Sequence, residues 1–225
     1  MALLRLKVAF QWGIKIMVLM IILTNCQSKK ETLPFYNSAD FTAEWIDHES
    51  PKYQQIHTIN PFSFQDQSGE IYNSDSLEGK IYVANFFFTI CPSICPKMTN
   101  NLSVLQNKFI QEKNFKMVSF SVTPWIDSVA VLKKYAEKHH INTNQWHLLT
   151  GQKSDIYTLG RQSFFAEKTI GLKKGSNDFL HTEALLLIDR NARIRGIYNA
   201  TNPDEMERII ENINTLLNEK WIYEN

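Results

Sequence analysis

Residues 80–102, KIYVANFFFTICPSICPKMTNNL, decide how this chain is read. Lys80–Phe88 is apolar and β-rich with few polar breaks, the pattern of a strand covered on both faces. Behind it Cys91 and Cys95 stand four apart, each followed by a proline, and Pro96 is placed to open a helix in its first turn. Met98, Leu102, Leu105 and Phe109 then recur at 4-3-4 spacing, one buried helical stripe. Cysteines four apart on a helical turn place their Cβ atoms roughly 5–6 Å apart, whereas a disulfide wants about 3.5–4.5 Å. The pair can therefore close after a small loop adjustment, or stay open and clamp one ion. Exposed N–H groups and the dipole at a helix start favour thiolates, which suits a nucleophile and a soft-metal ligand alike. A structural staple, a redox pair and two legs of a metal site all stay open on spacing alone. The staple is the weakest, because so short a loop constrains the unfolded chain little.

The neighbouring stretches supply the rest of a fold. Phe62–Gln65, a turn at Asp66–Gly69, and Glu70–Tyr72 form a hairpin with alternating faces. Lys116–Val122 is a second central strand, ended by Pro124; Asp127 or Ser128 caps a helix with Val129, Leu132 and Ala136 inward. Trp146–Leu149 is a short strand and Ser154–Phe165 a helix. Gly171–Leu180, with two glycines, reads as a mobile loop. Ala184–Asp189 and Ile194–Tyr198 pair as a hairpin, then Asn202 caps and Pro203 opens a last helix with Met206, Ile209, Ile210, Ile213, Leu216 and Leu217 on its core face. Crossover helices between strands give an α/β fold, a central mixed sheet flanked by helices on both faces, with an N-terminal β-hairpin extension. Cysteines between the first central strand and its helix make the arrangement thioredoxin-like.

Among the 225 residues, 44% are hydrophobic and 21% charged, and the formal net charge is +1, so nothing suggests a nucleic-acid surface. The first 25 residues differ in kind. Arg5, Lys7 and Lys15 precede or flank Ile16–Leu23, an unbroken apolar run of eight, short for a membrane span of roughly 20 but within the 7–15 of a secretory signal. Leu23-Thr24-Asn25-Cys26 resembles a bacterial lipobox, in which the signal is cut before a cysteine that is then acylated, although Asn25 departs from the usual small residue. The expectation is a lipoprotein-type signal over residues 1–25, lipid on Cys26, a tether and extended lead-in over 26–60, and one domain over 61–225; an uncleaved signal anchor is the alternative. Either reading exports the domain. With Cys26 acylated, only Cys91 and Cys95 remain as thiols, and outside the cytoplasm such thiols persist as a disulfide or under a ligand.

Two features separate this chain from thiol-disulfide oxidoreductases of the thioredoxin type. Three residues, not two, lie between the cysteines, and no proline occurs between Trp125 and Asn202 to stand opposite them. What precedes the Ala184–Asp189 strand is His181. Neither cysteine has the threonine three before it that a peroxiredoxin would carry. The stretch at 80–102, with Cys91-Pro92-Ser93-Ile94-Cys95-Pro96 as C-P-x-x-C-P, resembles the Sco/SenC family of the thioredoxin superfamily, copper-handling proteins that assist cytochrome c oxidase assembly. MVSFSVTPWIDSVAVLKKYAEKH, the later WHLLTG, and His181 before ALLLIDRNARIRGIY fit the same pattern, so the resemblance spans roughly residues 60–220. Thr123 stands where the family commonly has aspartate, and Leu180 where aspartate often precedes the histidine. Both differences remove carboxylates from around the ligands.

The resemblance implies Cys91, Cys95 and His181 as copper ligands, with Cys91 and Cys95 also able to form a disulfide. Two thiolates and an imidazole suit Cu(I), while a structural zinc site would usually want a fourth protein ligand. It further implies a membrane-tethered monomer on the outer, periplasmic side of the cytoplasmic membrane, a metallochaperone more than an enzyme, acting with the copper-bearing oxidase subunit or another copper carrier. A thiol-disulfide reductase for the cysteines of that copper site, or a redox sensor, is the competing function. His139, His140 and His147 read as solvated surface, Phe86–Phe88 and Trp146 as core, Asp127 as a helix cap and Glu183 as a strand-edge residue.

Overall fold

The structure is a computed structural model, and it describes residues 32–166 and 183–219. The expected signal segment, Cys26, the stretch Gly171–Leu180 read above as a loop, and His181 lie outside the described residues. The compact unit begins at Thr32, so the lead-in is part of the fold and not only a tether. It makes a short antiparallel pair, β1 (Phe35–Tyr36) with β2 (Ala43–Glu44), followed by a 3-10 turn over Pro51–Gln55. Phe35, Ile56 and Ile59 are buried against the domain. Single apolar side chains spaced this irregularly leave no periodicity in the sequence, which is why the segment reads as extended.

The expected hairpin is present as β3 (Ser63–Gln65) and β4 (Ile71–Asn73), held to the main sheet by the bridge between Gln65 and Thr150. The main sheet then assembles from β5 (Ile81–Phe87), α1 (Ile94–Lys108), β6 (Phe115–Ser121), α2 (Val129–Lys138), β7 (Trp146–Leu149), α3 (Lys153–Thr158), β8 (Ala184–Ile188), β9 (Ile194–Asn199) and α4 (Asp204–Asn218). Strand order is β7-β6-β5-β8-β9; β5, β6 and β7 run parallel, and β8 is antiparallel to both neighbours. This is the mixed, thioredoxin-like sheet expected from the sequence.

All seven residues of β5 are buried, and its side chains alternate between two cores. Ile81, Val83 and Phe87 join α1, α2 and α4 on one face. Tyr82, Ala84 and Phe86 join Phe120, Phe164 and the α3 side on the other. The α1 stripe is Met98, Leu102, Leu105 and Phe109, each at most 6% exposed, and burying each such side chain contributes roughly 1.5–3 kcal/mol. The helix expected at Ser154–Phe165 is α3 plus a π turn over Leu159–Ser163, wound one residue wider per turn. Ahead of α4, Asn202 Oδ1 accepts from the N–H of Asp204 at 3.1 Å, but the cap position of the helix falls to Pro203 and not to Asn202 as expected.

Candidate metal centre

Cys91 lies in the loop between β5 and α1, and Cys95 in the first turn of α1. Both are buried, and the N–H of Cys95 points at Cys91 Sγ at 3.3 Å, so the two residues share one turn at the parallel strands' C-terminal edge. They are free thiols in this structure. Their environments differ. Burial raises the Cys91 thiol, but the N–H groups of Cys95, Ser93 and Ile94 and the thiol of Cys95 outweigh it and hold Cys91 below its ordinary value. Burial pushes Cys95 up to about 12, and the neighbouring Cys91 and Asp127 add to the rise. Of the two, Cys91 gives up its proton the more readily.

Below the pair, Asp127 is fully buried and does not cap α2; Ser128 stands at that helix's start. Its carboxylate accepts from Ser121 Oγ at 2.6 Å and Thr123 Oγ1 at 3.0 Å, and from both the N–H (3.3 Å) and the hydroxyl of Thr89. Asp127 therefore stitches the segment leaving β5 to the segment leaving β6 directly beneath the cysteines. Thr123 is one of the donors to this carboxylate, four residues on. Sequence reasoning missed Thr89 and the role of Asp127, because a loop aspartate before a helix carries no mark of a bond 38 residues back. Tyr135 closes the side: its ring packs 5.5 Å from that of Phe87, and its hydroxyl bonds Thr99 at 2.7 Å.

The other expectations sort cleanly. Trp146, Phe86 and Phe87 are core, with the Trp146 indole N–H on Ser119 Oγ at 2.8 Å, while Phe88 is only half-buried against that core. Glu183 accepts from Asn199 and Thr201 at the strand edge. His140 is exposed, and His139 is half-buried against Tyr135. His147 is not solvated: it pairs with Asp66 at 3.2 Å and packs on Tyr72, since β7 turns it toward the β3–β4 turn. Among the described residues no three histidine, cysteine or carboxylate side chains are grouped as ligands. Two soft thiols in one turn nevertheless fit a thiophilic ion that draws a further donor from elsewhere in the chain.

The family model described as SCO1/SenC matches residues 50–218. A crystal structure of a SCO1/SenC family lipoprotein from Bacillus anthracis is 32% identical, covering 72% of this chain and 95% of that one with a TM-score of 0.63. BsSco, described as having a disulfide switch and as a member of the Sco family of cytochrome c oxidase assembly proteins, is 30% identical over 73% of this chain and 95% of its own, TM-score 0.61. Bradyrhizobium japonicum ScoI with copper bound is 25% identical over 69% of this chain and 99% of its own, TM-score 0.55. With a match spanning most of the domain and a C-P-x-x-C-P turn between β5 and α1, the chain belongs to the SCO1/SenC family.

Proposed function

We propose that this protein is an envelope copper carrier that assists assembly of the copper site of cytochrome c oxidase. Cys91 and Cys95 supply two thiolates and His181 the third donor. Residues 1–25 are the signal, Cys26 carries the lipid that tethers residues 26–31 to the membrane, and the domain lies on the outer side. The observation that carries the reading is the pair of thiols at the entrance to α1, Cys91 in the loop before it and Cys95 in its first turn, beside backbone N–H groups that favour charge on Cys91. A soft ion bound there displaces the Cys95 proton, so loading is coupled to proton release. The relative ScoI holds copper, and BsSco acts in oxidase assembly.

Anaerobic titration of the reduced full-length chain in detergent with Cu(I) tests this. One equivalent should bind, with affinity lost in Cys91→Ser and Cys95→Ser and sharply weakened in His181→Ala. The second reading, thiol reduction of an oxidase copper site, draws on the same inequality of the two thiols, one ready to attack and one able to resolve. It predicts that oxidase activity in cells survives His181→Ala but not Cys91→Ser. Carriage predicts that both fall nearly together.

A further inference from the structure

Around the buried thiols the surface is unusually apolar. Ile90, one residue before Cys91, is 60% exposed, Trp125 59% and Ile126 38%. They are not scattered: the N–H of Val122 bonds Phe87 O at 2.9 Å, and Thr89 bonds Asp127, so the two loops that carry these side chains leave the sheet side by side. Trp125 is also held in place, with Lys153 Nζ 5.2 Å from its ring centroid and 5.1 Å from that of Tyr157. The Tyr157 hydroxyl in turn donates to Val122 O at 2.8 Å, which ties α3 to the same loop. A rigid exposed tryptophan beside a cation is the type of side chain that dominates protein–protein interfaces. Lys153 and Arg161, the latter's guanidinium 5.2 Å from the Tyr157 ring centroid, put two cations beside this face, while Asp155 in the first turn of α3 lines the same hollow as Pro124.

We propose that Ile90, Trp125 and Ile126, with Lys153 at their edge, form the docking surface for the protein that receives the metal. That partner presents an apolar side chain to Trp125 and a carboxylate to Lys153, next to its own acceptor thiols. The inference rests on the carrier reading, since a carrier must hand its ion to a sulfur brought within bonding reach of Cys91, itself only 8% exposed. A small chelator reaches that thiol without the surface; a folded protein cannot. Contact through three exposed apolar groups and one charge also favours an encounter that forms fast and separates after transfer.

The test uses the full-length chain in detergent, loaded with one Cu(I), and as probe the metal-free soluble domain of the copper-bearing oxidase subunit. Trp125→Ala and Lys153→Glu should load copper normally and lose it to a small Cu(I) chelator at the wild-type rate. Transfer to the probe should slow by about tenfold or more in each, and Lys153→Arg should restore most of the rate. Added salt should slow the wild type more than Lys153→Glu. Normal loading with unchanged transfer in both variants overturns the docking surface and leaves the carrier reading standing. A wild-type chain that takes up no Cu(I) overturns both. A wild-type dimer that Trp125→Ala converts to monomer assigns the patch to self-association and also overturns the proposal.

Discussion

At the scale of single residues, the cysteine turn works by giving two identical side chains unequal chemistry. Both are buried, yet Cys91 accepts from several donors at the start of α1 while Cys95 meets mainly burial and the negative charge of Asp127 and Cys91. Alkylation of the reduced protein with iodoacetamide, read by mass spectrometry between pH 6 and 9, should therefore label Cys91 with a midpoint below 9 and leave Cys95 unlabelled until the chain unfolds. The sign follows from the thiolate being the nucleophile: labelling begins as pH rises through a lowered value, and is postponed where the value is raised. Asp127→Asn removes one of the charges that raises Cys95, so labelling of Cys95 should move to lower pH. Equal midpoints for both thiols would refute the inequality. The two cysteines were legible in the sequence because spacing and the flanking prolines place them on one turn. Asp127 was not, since its function comes from tertiary hydrogen bonds to Thr89, Ser121 and Thr123.

At the scale of elements, the strands were readable wherever burial covers both faces or alternates, as in β5, β6 and β8, because such strands leave continuous apolar runs. The π turn was not, because its widening answers tertiary packing: His57 Nε2 lies 2.7 Å from Ser163 O, and the N–H of Asn60 donates to Ser163 Oγ at 3.3 Å. The Leu149-Thr150-Gly151 motif shows how a sequence mark acquires a physical reason. Gln65 and Thr150 exchange backbone hydrogen bonds of 3.0 and 2.9 Å, which bring the β3–β4 hairpin down on Gly151. A Cβ at Gly151 would meet the ring of Phe64 at 2.7 Å. That ring is 6% exposed and packs 5.9 Å from those of Phe62 and Phe120, so it has little room to retreat. Gly151→Ala should therefore destabilise the fold by about 1–3 kcal/mol through overpacking, measured by urea unfolding. Phe64→Leu on the same background should recover part of the loss. An unchanged midpoint in Gly151→Ala would show that the hairpin is free to lift.

At the scale of the whole molecule, the ends of the domain are tied together far from the cysteines. Arg195, 3% exposed near the start of β9, donates to Leu33 O at 2.8 Å and Pro34 O at 3.1 Å, and its guanidinium lies 4.2 Å from the centroid of Phe35. It also pairs with Asp189 at 3.1 Å and with Glu219 at 2.9 Å, beyond the end of α4. Since β8 is antiparallel to β5, with Ile188 opposite Tyr82, this latch sits at the edge of the sheet where β5 begins, and Cys91 follows where β5 ends. The lead-in thus enters the fold one strand length, roughly 23 Å, from the thiols, which keeps that surface clear of the chain's entry point. Burial raises Asp189, and Arg195 is the main charge opposing that rise. Arg195→Ala leaves the carboxylate buried without its cation, a loss of about 3 kcal/mol at pH 7. An acid whose folded value exceeds its unfolded 3.8 holds its proton longer when folded, so stability falls as pH climbs from there through the folded value. Removing the cation lifts that folded value further, and the fall becomes deeper. The gap between wild type and Arg195→Ala in urea unfolding should accordingly be widest at pH 7 and shrink towards pH 4, as Asp189 in the variant takes up its proton. A gap of the same size at both pH values would mean that Arg195 holds the lead-in through its carbonyl and ring contacts alone, with Asp189 a bystander.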